Sequence, residues 1–153
     1  MSELSANACR KQPDGSEGPR IRITLTSTAD LGQYESAMHE LAYSIGITML
    51  MENKNFLYEV DVDSESIEKF KAAARQKEKA RKPGITEAVL DKVIAGKLQH
   101  FLSEQAAENS TLLPTLQNPV WREIPQDATI RDALFSASHL LGANVIATFS
   151  RTA

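Results

Sequence analysis

Three observations predict an α+β domain in which a small antiparallel sheet is covered by helices and an antiparallel helical hairpin projects from it. Arg20 to Ser27 alternates, with Ile21, Ile23 and Leu25 on one face and Arg22, Thr24 and Thr26 on the other, the period of a half-buried strand. Lys82 to Phe101 instead repeats its apolar residues at intervals of three and four, as one buried helix face requires. Segments of the two periods are interspersed along the chain, in the order strand, helix, strand, hairpin, irregular strands, helix, strand.

Residues 1–18 mix Ser, Gly, Pro and charge with little to bury, which predicts a disordered polar tail ahead of a core domain over 19–153. Cys9 lies in that tail and is read as incidental. After the first strand, Thr28 and Asp30 offer capping oxygens, and Tyr34, Met38, Leu41, Ala42 and Ile45 form a helical stripe that either begins to end at Gly46 or extends through Met49, Leu50 and Met51. A second strand is expected over Phe56 to Val62, with Phe56, Tyr58, Val60 and Val62 on one face. Its acids, Glu59, Asp61 and Asp63, lack the turn-making glycine of a calcium loop and read as a solvated edge.

Ser64 opens a polar helix with acids first and bases last, which suits the helix dipole. The short link through Pro83 and Gly84 folds it back against the Lys82–Phe101 helix, giving a hairpin over 64–106. Val89, Val93, Gly96, Leu98 and Phe101 are its predicted packing residues, with Gly96 marking either a close backbone contact or tolerated drift. Beyond Glu104, short strands are expected at Thr111 to Leu116 and Val120 to Ile124, with Trp121 as a packing anchor. Asp127 and Thr129 start a last helix, buried along Ile130, Ala133, Leu134, Ala137 and Leu141 and ended by Gly142. Val145, Ala147 and Phe149 then alternate as a closing strand.

The chain has 153 residues, a net charge of -3 and one cysteine. That excludes an internal disulfide framework and gives no bulk charge for binding nucleic acid directly. No apolar run approaches the roughly 20 residues of a membrane span, so a cytoplasmic protein is expected; Arg10 and Lys11 among small residues leave an organellar destination open. No nucleophile elbow, metal-ligand cluster or phosphate-binding glycine loop occurs, and His39, His100 and His139 are scattered. No catalytic residue, metal or cofactor is therefore expected.

Lys82-Pro83, followed by Val89-Leu90-Asp91-Lys92-Val93-Ile94-Ala95-Gly96-Lys97-Leu98-Gln99-His100-Phe101, resembles the helix signature of the elongation factor Ts family. Weaker likeness extends to Leu57-Tyr58, Leu41-Ala42 with Ile45, Leu116-Gln117 with Pro119-Val120, and Gly142-Ala143-Asn144-Val145-Ile146. The resemblance implies a protein that is not an enzyme but binds elongation factor Tu and promotes GDP/GTP exchange. Two family parts are missing: the N-terminal helical module, and the threonine-aspartate-phenylalanine-valine loop that approaches the nucleotide. Asp30 and Leu31 fall nearest that loop, with Leu31 in the phenylalanine's place, and Gly142, Asn144 and Val145 are the other implied contacts. The alternative is a diverged module that keeps the fold without exchange, as a homodimer through the hairpin or on another partner.

Overall fold

The computed structural model describes residues 1–113 and 116–152. It has the α+β architecture expected: three antiparallel strands in the order β1 (Ser2–Lys11), β2 (Glu17–Ser27), β3 (Val145–Thr152), and four helices. The helices are α1 (Glu35–Met51), α2 (Ser64–Arg81), α3 (Glu87–Gln105) and α4 (Ile130–Leu141).

The first correction concerns the N-terminus, where β1 replaces the expected tail. It pairs with β2 in the register Leu4↔Leu25, Ala6↔Ile23, Ala8↔Ile21. The two strands are joined by a tight turn in which Gly15 takes φ 87 and Asp14 Oδ1 accepts from the Ser16 amide and hydroxyl. Pro13-Asp14-Gly15 is a turn sequence with a mechanism: proline presets φ, aspartate bonds its own backbone and glycine supplies the positive φ. Two of the three inward positions are alanines, so the alternation is faint on a hydrophobicity scale although Ala6 and Ala8 are buried.

Ile21, Ile23, Leu25, Ala147 and Val145 carry the inner sheet face, which packs on Met38, Leu41, Ile45 and Met49 of α1 and Ile130, Ala133 and Ala137 of α4. Helix α1 runs through Gly46 rather than ending there, because Gly46 faces the sheet. A Cβ at that position would lie 2.9 Å from the Ala8 Cβ and 3.3 Å from Ile21 Cγ2. Helix α4 begins with a capping box, Thr129 accepting from the Asp132 amide and Asp132 from the Thr129 amide. It ends at Gly142, whose φ of 70 is the left-handed cap.

The second expected strand does not form. Phe56 makes one isolated parallel bridge to Ala106, and Glu59–Asp61 is a 3-10 turn. Strict alternation fails because Leu57, not Phe56, is fully buried, while Val60 is 89% exposed. The segment is held from outside: the Ala107 and Glu108 amides donate to the carbonyls of Phe56 and Leu57, and the Ala147 amide of β3 donates to the Tyr58 hydroxyl. Val120–Ile124 is likewise not a strand, since Pro119–Trp121 forms a 3-10 turn capped by Asn118. Thr111 makes only an isolated bridge to Thr129; residues 114 and 115 of that expected strand lie outside the described residues.

Candidate functional site: the helical hairpin and the sheet end

Helices α2 and α3 meet around a small core of their own, Ala74, Leu90 and Ile94, with Phe70 and Ile85 packed against it. Asp63 caps α2 by accepting from the Ser66 amide, and Thr86 caps α3 by accepting from the Val89 amide. Phe70 of α2 stacks on Phe101 of α3 with ring centroids 4.3 Å apart and planes 12° apart. Offset stacking of this kind contributes about 0.5–1.5 kcal/mol beyond the area it buries.

Charge joins the helices as well. Arg75 bridges Glu87 (2.9 Å) and Asp91 (2.8 Å), but all three side chains are well exposed, so water weakens these pairs. Glu78 differs, being only 2% exposed. Its carboxylate accepts from Lys97 Nζ at 2.5 Å across the hairpin and from Arg81 at 2.8 Å. The cover is local, supplied at the helix–helix seam, so burial opposes ionisation less than the two cations favour it. The Lys97 hydrogen bond, then that of Arg81, holds the carboxyl at a pKa of about 2 against an ordinary 4.5.

A depressed carboxyl pKa gives stability that is fully present above the unfolded value and lost as pH falls through the folded one. The Glu78 clamp therefore acts at neutral pH and disappears between about pH 4.5 and about pH 2. Thermal melts of wild type and Glu78→Gln are expected to differ most above pH 5 and to converge near pH 2. A constant gap across that range would mean the clamp is not electrostatic.

The hairpin residues named from the sequence divide. Val93, Leu98 and Phe101 are half-buried, but Leu90, Ile94 and Ala74 form the true seam. Val89 points away from it and is 50% exposed. Gly96 also corrects the reading: a Cβ there would meet nothing within 4 Å. The close approach that a helical glycine suggested belongs to Gly46. Gly96 instead opens a notch in the outer surface of α3, where a groove of about 540 Å³ is lined by Phe70, Val93, Phe101, Lys92 and His100.

The other named residues sit at one end of the sheet. Ser27 pairs with Val145, so the segments 28–31 and 142–144 leave the sheet side by side. Asp30 is exposed, with its Oδ1 accepting from the Gly32 amide. Asn144 and Gly142 are exposed too. Leu31 and Val145 are not available as contacts, at 8% and 7% exposure; both belong to the main core. Leu31 cannot serve as a wedge while it packs there.

Among the described residues no group of three His, Cys, Asp or Glu side chains could hold a metal ion. His100 Nε2 pairs with Glu104 at 3.0 Å on the surface of α3. An open polar groove of about 490 Å³ brings His100 to the same wall as Glu59 and Arg131. Within it Asn109 donates to Glu59, while Arg131 donates outward to Glu108.

One surface feature escaped the sequence reading. Phe135 lies off the buried stripe of α4 and is 75% exposed. With Val120, Ile124 and Leu140 it lines a groove of about 350 Å³. The signal was legible, since an aromatic at position 135 falls between the buried positions 134 and 137 of a helix already delimited.

Among the described residues no helix is long and apolar enough to cross a membrane. No protein-family model matches the chain, and no curated protein matches it.

Proposed function

We propose that the chain is an elongation factor Ts-like protein that binds elongation factor Tu as a partner and acts on its nucleotide cycle. One observation carries the reading. The residues of the family-like signature, 82–101, fold as the second arm of an antiparallel hairpin attached to a three-stranded α+β core. Exchange would follow from linkage: a partner that prefers the empty GTPase weakens nucleotide binding by the same factor. Asp30, Gly142 and Asn144, exposed at one sheet end, are the contact residues this reading retains.

A second reading, a binding module without exchange, is favoured by the burial of Leu31 in the core. The phenylalanine that the family carries near the nucleotide then has no counterpart free to move. Fluorescent GDP release from elongation factor Tu separates the two. Acceleration by saturating protein supports exchange, and binding without acceleration supports the second reading. Absence of binding sinks both. Where binding occurs, Asp30→Ala with Asn144→Ala is expected to weaken it by about tenfold or more, the loss typical of interface anchors.

A further inference from the structure

We propose that the free edge of β1 and the flank of α1 beside it pair with the same surface of a second copy of this chain, antiparallel, joining two three-stranded sheets into one. The two sheet edges differ. That of β3 is closed, since the Ala147 amide donates to the Tyr58 hydroxyl and Arg151 reaches Asn55 and the Lys54 carbonyl. The opposite edge is β1, and among the described residues no other segment bonds to its outer side. Alternate residues of an edge strand hold amide and carbonyl groups away from the sheet, a template for another strand. Over residues 2–9 the strand has no proline, no bulge and no inward charge, the usual devices that blunt an edge.

Charge and spacing decide what fills this edge. The strand is acidic where it begins, at Glu3, and basic where it ends, at Arg10 and Lys11. All three are exposed, and among the described residues none of them makes an ion pair. Glu35, lining a groove beside Leu4 with Ser36 and His39, adds a second acid at the acidic end. Antiparallel self-pairing brings each acidic end to the basic end of the other copy, twice per dimer. With the axis near Ala6, Leu4 of each copy falls opposite Ala8 of the other, so inward residues meet inward residues.

Helix α1 lies over β1 and β2 together, since a Cβ at Gly46 would touch Ala8, Ile21 and Ile23. Strands stand about 4.8 Å apart, so joining the two edges sets the two α1 helices two spacings apart, at about 10 Å. Packed helices lie about 8–10 Å apart. Tyr43, 44% exposed, and half-buried Ile47 stand one turn apart on the α1 flank turned away from Met38, Leu41 and Ile45, and would meet their counterparts there. A lone extended peptide would leave them uncovered. The joined face is about 33 Å long for a ten-residue strand and about 15 Å tall for a helix seated on it. That is about 500 Å² a side and about 1,000 Å² in all, the lower bound for a specific interface, so the dimer is weak.

Sedimentation equilibrium from about micromolar to about millimolar concentration, with amide hydrogen exchange at both ends of that range, tests the pairing. Wild type is expected to pass from monomer to dimer, with the added protection falling on β1. Tyr43→Asp should weaken association by about tenfold or more. Glu3→Lys should weaken it a few-fold, and Arg10→Glu in the same chain should restore part of that loss. All three positions are exposed, so thermal melts of the dilute variants should match wild type. A wild type that stays monomeric overturns the proposal, as does a dimer whose protection lies outside β1 or that ignores Tyr43→Asp. So does a loss on Glu3→Lys that Arg10→Glu deepens. Protection of β1 that appears only when elongation factor Tu is added also overturns it, and gives the edge to that partner.

Discussion

Trp121→Ala is expected to destabilise the protein by about 3–5 kcal/mol, the range for deleting a large aromatic from a packed core. The residue is 3% exposed and belongs to the main core. Its indole Nε1 donates to the Ala37 carbonyl of α1 at 3.3 Å. A void of about 20 Å³ already borders it, among Leu112, Ile124 and Ala128. Removing the indole would enlarge that void rather than let the walls close. For a domain of this size such a loss lowers Tm by roughly 10 °C or more.

Trp121→Phe retains most of the apolar area and forfeits the hydrogen bond, so it should cost a smaller share, about 1–2 kcal/mol. Urea denaturation followed by far-UV circular dichroism measures both, since fluorescence leaves with the only tryptophan. A Trp121→Ala cost below about 1 kcal/mol would place the indole outside the cooperative core.

The same residue marks the boundary of what the sequence could convey. Trp121 was legible as an anchor because a lone tryptophan in a broken stretch has few other uses. The conformation around it was not. Residues 120–124 read as a short strand between helix breakers, but the segment is stapled to α1 from outside. Glu40 Oε1 accepts from the amides of Gln117 and Asn118 at 3.1 Å each, and Ala37 accepts from Trp121. Bonds spanning 77 to 84 residues leave no local pattern.

The segment 56–62 went astray for the same reason, being held by Ala107, Glu108 and Ala147. Where the cause was local the outcome was legible. The alternation of β2, the capping box and glycine stop of α4, and the short link between α2 and α3 each act within a few residues. In the candidate site, chain order placed Asp30 and Asn144 correctly at the element ends. It could not show that Leu31 and Val145, next in sequence, turn inward.

Gly46→Val is the second large effect, expected at about 1–2 kcal/mol of net destabilisation. Two contributions oppose each other. Replacing a mid-helix glycine gains up to about 1 kcal/mol of helix propensity, most of it with alanine. Against that, the new Cβ would fall 2.9 Å from Ala8 Cβ, 3.3 Å from Ile21 Cγ2 and 3.4 Å from Ile23 Cγ1. Ala8 has no flexible end to swing aside, so relief requires α1 to move off β1 and β2, and overpacking of this kind costs typically 1–3 kcal/mol. The methyls of valine add to the conflict. Gly96→Ala provides the opposite sign, because its Cβ meets open space and only the propensity gain remains, up to about 1 kcal/mol. A double-mutant cycle ties the effect to the contact. Ala8→Gly removes the atom that Gly46→Ala strikes, so the pair should be more stable than the sum of the single changes by about 1 kcal/mol or more. Additivity within about 0.3–0.5 kcal/mol would mean that α1 and β1 do not approach so closely, and that the glycine is tolerated rather than required.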